Sequence, residues 1–127
     1  MTAPYATYDL QTVAANTGGT VTTATFGDIG TGGKTPPAKT AYVSIFNPTA
    51  STKAVASATL TFTEVVGGVT LTLTYNLTIA PAAGAAAMVK ADLTTTPGGI
   101  LRTPKVNVTF ASAPAACSVG VLLQLMP

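Results

Sequence analysis

With no histidine, one cysteine and four carboxylates in 127 residues, this chain has few side chains able to do chemistry. The carboxylates are Asp9, Asp28, Glu64 and Asp92. Two such groups suffice for glycoside hydrolysis when they flank one bond. These four are scattered, and no tryptophan is present to stack a sugar ring. Three of them fall at expected strand ends or loops, where a solvated acid is the ordinary reading. Hydrolysis by a nucleophile needs a base within reach, and no such pair stands out. The chain is therefore expected not to be an enzyme, and to hold no cofactor, no metal and no small-molecule substrate.

Gly33-Lys34-Thr35 has the ending of the phosphate-binding loop G-x-x-x-x-G-K-[ST]. Asp28 stands where its first glycine belongs, and Pro36-Pro37 follow where a helix must begin for its N-terminus to hold phosphate. Nucleotide binding is not expected. Cys117 opens an apolar strand, where a buried inert thiol is the simplest role, and a lone cysteine excludes an intramolecular disulfide. Asn76-Leu-Thr78 and Asn107-Val-Thr109 match glycosylation sequons, but both lie inside expected strands and are read as chance matches.

The cations Lys34, Lys39, Lys53, Lys90, Arg102 and Lys105 never form a run, and the net charge is only +2. Nucleic acid is not an expected partner. The weakly polar run from Ala80 to Val89 contains Pro81 and Gly84 and is far shorter than the roughly 20 apolar residues that span a bilayer. No membrane partner is expected. Met1 to Thr7 has neither the basic start nor the apolar core of a secretory signal, so a product made in a host cytoplasm without a signal peptide is expected.

Only 8% of residues are charged, while 47% are hydrophobic and the mean hydropathy is +0.48. A soluble domain carries about 25% charged residues. Low charge implies that much of the surface is covered by other protein. A component of an assembly, a homo-oligomer in its own right, is the expectation.

The elements that must position any site are strands. Gly67-Gly68 marks a tight hairpin turn, which sets Val66 opposite Val69. Counting outward pairs Phe62 with Leu73, Leu60 with Tyr75, Ala58 with Leu77 and Ala56 with Ile79 on an apolar face. Thr63/Thr72, Thr61/Thr74, Thr59/Asn76 and Ser57/Thr78 form the polar face. The rest of the chain is expected to pack on this hairpin. Glu64 falls on the apolar face opposite Leu71 and is expected to emerge at the end of the sandwich. The threonine runs have the spacing of ice-binding arrays, but two strands of a twisting sheet make a small, curved platform.

Further strands are expected at Tyr8 to Val13, Thr20 to Phe26, Ala41 to Phe46, Ala85 to Asp92, around Val106 to Phe110, and from Val119 to Leu125. Asn16-Thr-Gly-Gly, Asn47-Pro48 and Ala113-Pro114 are turn signals. About eight antiparallel strands without a helix make a single β-sandwich domain over residues 1–127. A jelly roll is the first expectation and an immunoglobulin-like sandwich the alternative. An extended N-terminal arm (1–7) and a long Gly/Pro loop (27–39) stand apart from the strands.

A small, His-free, Thr/Ala/Gly/Val-rich all-β chain of this kind resembles the capsid decoration, or cement, proteins of tailed bacteriophages. The resemblance is one of composition and architecture over Tyr8 to Leu125. It implies a structural virion protein on the capsid exterior that clamps neighbouring major capsid subunits and shifts assembly toward the intact shell. A tail-tube or connector subunit and a fibre or adhesin-type binding module are the competing readings. On the capsid reading the arm and the loop order on binding, with Pro4, Tyr5, Lys34, Pro36, Pro37 and Lys39 as the expected capsid contacts.

Overall fold

Gly67 and Gly68 adopt φ of 58° and 81°, the left-handed values that a two-residue hairpin turn requires. They turn β4 (Val55–Val66) back into β5 (Val69–Leu77). The computed structural model describes residues 8–27, 38–93 and 103–126. Its other strands are β1 (Tyr8–Asn16), β2 (Val21–Thr25), β3 (Thr40–Phe46), β6 (Ala86–Asp92), β7 (Lys105–Phe110) and β8 (Cys117–Met126). Ala86–Asp92 is strand and not helix despite its alanines, because it lies along β3 over its whole length.

The pairing is nested. β1 runs antiparallel to β8, β2 to β7, β3 to β6 and β4 to β5, as though the chain were one long hairpin that was then rolled up. Rolling adds β3 beside β8 and β4 beside β7, which gives two four-stranded sheets ordered β1-β8-β3-β6 and β2-β7-β4-β5. That order is the jelly roll, the first of the two expected sandwiches.

The core between the sheets follows from alternation. Val119, Val121, Leu123 and Leu125 of β8 and Ala41, Val43 and Ile45 of β3 point inward from the first sheet. Ala58, Leu60 and Phe62 of β4 and Val106, Val108 and Phe110 of β7 meet them from the second. Phe62 and Tyr75 pack edge to face at 6.2 Å.

The hairpin register holds from Val66↔Val69 down to Ala58↔Leu77. Below that the expected Ala56/Ile79 and Ser57/Thr78 pairs do not form. A bulge between Val55 and Ser57 shifts β4 against β7, turning Val55 inward and leaving Ala56 and Ser57 exposed. The far end departs from expectation too. Only the lower half of the hairpin lies in the core, and Val65, Val66, Val69 and Leu71 are exposed at its tip. Leu73 is half-buried because β5 is an edge strand. The hairpin is thus one flank of the molecule, while β8, between β1 and β3, is central to the other sheet.

Buried asparagines fix the turns. Asn16 donates from Nδ2 to Gly19 O and to Thr22 Oγ1, and its Oδ1 accepts from Gly18 N, so it closes the β1–β2 turn from the last position of β1. Asn47 donates to Lys53 O at 2.8 Å and Pro81 O at 3.1 Å, tying together the loops that follow β3 and β5. Ser51 joins them to the β7–β8 loop, its carbonyl accepting from Ala115 N.

Candidate functional site

The carboxylates considered for catalysis are not brought together. Asp9 lies on β1, Glu64 on β4 near the hairpin tip and Asp92 at the end of β6, while Asp28 lies outside the described residues. Glu64 is half-buried opposite Leu71, in a recess of about 220 Å³ shared with Thr63, Val65 and Thr103. Among the described residues no three of His, Cys, Asp and Glu cluster as a metal site would need. Cys117 is half-buried against the core. No described helix is long and apolar enough to cross a membrane.

Of the expected capsid contacts, Pro4, Tyr5, Lys34, Pro36 and Pro37 lie outside the described residues, as do Gly33-Lys34-Thr35. Lys39 is described and exposed. Its backbone is held firmly, the N–H donating to Met126 O at 2.9 Å and the carbonyl accepting from Leu93 N at 2.8 Å.

The surface that stands out is the outer face of the β1-β8-β3-β6 sheet. Antiparallel register places its outward residues in rows across all four strands. One row is Asp9, Gln124, Tyr42 and Lys90. The next is Gln11, Leu122, Ser44 and Met88, and the third is Val13, Gly120, Phe46 and Ala86. Val13 is 68%, Phe46 50% and Met88 64% exposed. Three large apolar side chains on three different strands thus share one open face.

Phe46 lies over Gly120, where even an added Cβ would come within 3.3 Å of the Phe46 Cβ. This glycine is what allows the ring to lie down on the sheet. Between Phe46 and Val13 opens a groove of about 360 Å³, floored by Gly120 and Leu122. Among the described residues three charged groups stand on this face: Asp9 and Lys90 at opposite edges of the first row, and Asp92, exposed two residues beyond Lys90 on β6 in the row with Thr40 and Met126. Asp9 accepts a hydrogen bond from Gln124 Nε2 at 3.1 Å.

The apolar residues of this face were not singled out by reading the sequence for chemistry. The signal present was an apolar residue in the outward phase of strands whose inward phase was already apolar: Val13 in β1, Phe46 in β3, Met88 in β6 and Leu122 in β8. Each alone is unremarkable, since single exposed apolar residues are normal. Their convergence depends on strand order.

The opposite outer face is mostly polar, with Val21 exposed at its β2 edge. Thr23 donates to Asn107 Oδ1 at 2.9 Å, and Asn107 Nδ2 donates to Thr59 Oγ1 at 3.2 Å. The threonine face expected of the hairpin is therefore continued across all four strands by Thr23, Thr25, Asn107 and Thr109, with Lys105 among them. At the sheet's edge, Tyr75 has its hydroxyl pKa raised, first by desolvation and second by the negative charge of Asp92.

No family model matches the chain, and no curated protein does. Among solved structures, the chain is similar to the C-terminal extracellular domain of Mycobacterium tuberculosis EmbC, at 14% identity and a TM-score of 0.42. The match covers 95% of this chain and 42% of that one. A likeness this distant carries no functional argument.

Proposed function

We propose that this chain is a structural subunit that coats the exterior of a tailed-phage capsid, bridging neighbouring major capsid subunits. The observation that carries the reading is the outer surface of the sandwich. One face exposes Val13, Phe46 and Met88, and the other is mostly Thr and Asn with Val21 and Lys105 among them, so both broad faces offer contact area with little charge to desolvate. Coating works by differential binding. A protein that binds only the assembled lattice shifts the equilibrium toward it, and many weak copies act together. The exposed hairpin tip, with Val65, Val66 and Val69, adds a further apolar contact at one end.

The test is to add purified protein to undecorated capsids and measure occupancy by co-sedimentation and shell melting by calorimetry. Saturable binding in a fixed ratio to capsid subunits, with a raised shell melting temperature, is expected. No binding removes the coat reading, and closed rings in electron micrographs of the free protein favour a tail-tube or connector subunit instead. Deleting residues 1–7 or replacing Lys34 and Lys39 with alanine asks whether the arm and loop take part. Exposed ion pairs contribute only ~0.2–1 kcal/mol each, so the arm deletion is expected to weaken binding more than the lysine changes do.

A further inference from the structure

We infer that the outer face of the β1-β8-β3-β6 sheet docks onto the same face of a second copy, about a two-fold axis parallel to the strands and midway between β8 and β3. The inference goes beyond the coat reading and does not depend on it; where both hold, this face is taken by the second copy, and the opposite face and the hairpin tip are left for the shell. Such an axis exchanges β1 with β6 and β8 with β3, so each residue meets the one at the mirrored place in its own row. A two-fold contact must be self-complementary in this sense.

The rows meet that requirement. In the first, Asp9 of one copy faces Lys90 of the other, twice over, and Gln124 faces Tyr42. In the second, Leu122 faces Ser44 and Met88 faces Gln11; in the third, Phe46 faces Gly120 and Val13 faces Ala86. Large sits over small in two of these pairs, Leu122 over Ser44 and Val13 over Ala86, as interdigitating sheets need. The exposed Met88, long and adaptable, enters the second copy's groove between Val13 and Phe46. The two Phe46 rings, each lying on a Gly120, meet at the axis.

Charge selects the axis. A two-fold perpendicular to the strands would carry Asp9 toward the far end of the sheet, away from Lys90. A perpendicular axis between Lys90 and Asp92 would pair those two but overlap only one end of the sheets; of the axes that bring the whole faces together, the parallel one joins Asp9 to Lys90 at both rims.

Four strands at about 4.8 Å and a length of about 25 Å give roughly 480 Å² of face per copy. A standard interface buries about 800 Å² per partner, so this contact is a small one, and the inference commits to a dissociation constant in the micromolar range, below about 100 µM.

Sedimentation equilibrium of the full chain, at concentrations up to about 100 µM, tests the inference. The parent is expected to dimerise, with a dissociation constant that rises with salt. D9K and K90E, each of which sets two like-charge pairs across the axis, are expected to weaken it by about tenfold. The D9K/K90E double variant restores both pairs in swapped sense and is expected to return to within about threefold of the parent. M88D is expected to be monomeric, with the parent's melting temperature when both are measured well below the parent's dissociation constant. A monomeric parent overturns the inference, even if it binds capsids and leaves the coat reading standing. So does a double variant as weak as either single, which would mean that Asp9 and Lys90 do not meet. Since both side chains are exposed, the singles are expected to fold as the parent does. If one melts early, the salt dependence of the parent decides alone, and a dimer indifferent to salt overturns this orientation.

Discussion

On the outside of the β2-β7-β4-β5 sheet, Thr23, Asn107 and Thr59 hand hydrogen bonds from strand to strand, and hydroxyls are spent on neighbours within the sheet. On the outside of the other sheet, Phe46 lies flat over Gly120 and a groove stands open beside it. Both faces belong to antiparallel four-stranded sheets with equally apolar inner sides. The difference lies in what each does with its outward positions. A polar face that satisfies itself is finished in water, whereas an apolar face in water is stabilised by being covered. The same contrast weakens the ice-binding reading, because the Thr23 and Thr59 hydroxyls, bound to the Asn107 amide with Lys105 beside them, are poorly presented to a lattice.

The largest effect that could break this comparison lies on the inner side, which both faces share. Leu60→Asp places an unpaired carboxylate in the core and is expected to cost more than ~4 kcal/mol, leaving no folded protein. Thr74→Asp, outward on the adjacent strand, is expected to stay within about 0.5 kcal/mol of the parent. Similar losses in urea titrations of the two would mean that the threonine face is not a free surface.

Exchanging the characters of the two faces sharpens the comparison further. A Val13→Thr/Met88→Thr variant is expected to lose most of the parent's binding of a hydrophobic dye, at a stability cost of about 0.5 kcal/mol per site. Thr72→Val/Thr74→Val on the opposite sheet is expected to raise dye binding toward the parent's apolar face. Dye fluorescence that ignores both changes would place the exposed apolar surface elsewhere, the hairpin tip being the first place to look.

A smaller effect separates the polar contacts. Asn107→Ala removes two side-chain hydrogen bonds and is expected to destabilise by about 1 kcal/mol. Gln124→Ala, whose bond to Asp9 is exposed and stops there, is expected to be nearly silent in the same thermal melts. Equal effects would remove the distinction between a relay and an isolated pair.

The smallest effect is confined to alkaline solution. The raised pKa of Tyr75 means that the folded state holds its phenol proton more tightly than the unfolded state does. Its contribution is then fully present below the unfolded pKa of about 10 and lost as pH rises through the folded value. Tyr75→Phe is expected to flatten this alkaline decline in melting temperature, and Asp92→Asn to flatten it less, since desolvation is the larger cause.

Gly67-Gly68 and the alternation around it were enough to set the hairpin register, because a tight turn leaves no freedom in which residues face each other. Alternation likewise made β3, β7 and β8 legible as strands, and the spacing of turn signals identified an all-β sandwich. These are local properties of a chain whose side chains alternate by two. The bulge at Val55/Ser57 was not legible, because it is imposed by β7, some fifty residues away in sequence. The nested pairing belongs to the same class, being a choice among long-range partners that no short stretch records.

The apolar outer face was the least legible feature of all. Val13, Phe46, Met88 and Leu122 are spread over more than a hundred residues, and each reads alone as an ordinary exception to alternation. The sequence by itself determined which side of each regular stretch of strand is buried, since water sorts side chains strand by strand, though not at the β4 bulge or the hairpin tip. Only the tertiary structure decided which exposed sides lie together, because adjacency across a sheet follows from strand order, and strand order is set by how the whole chain rolls up.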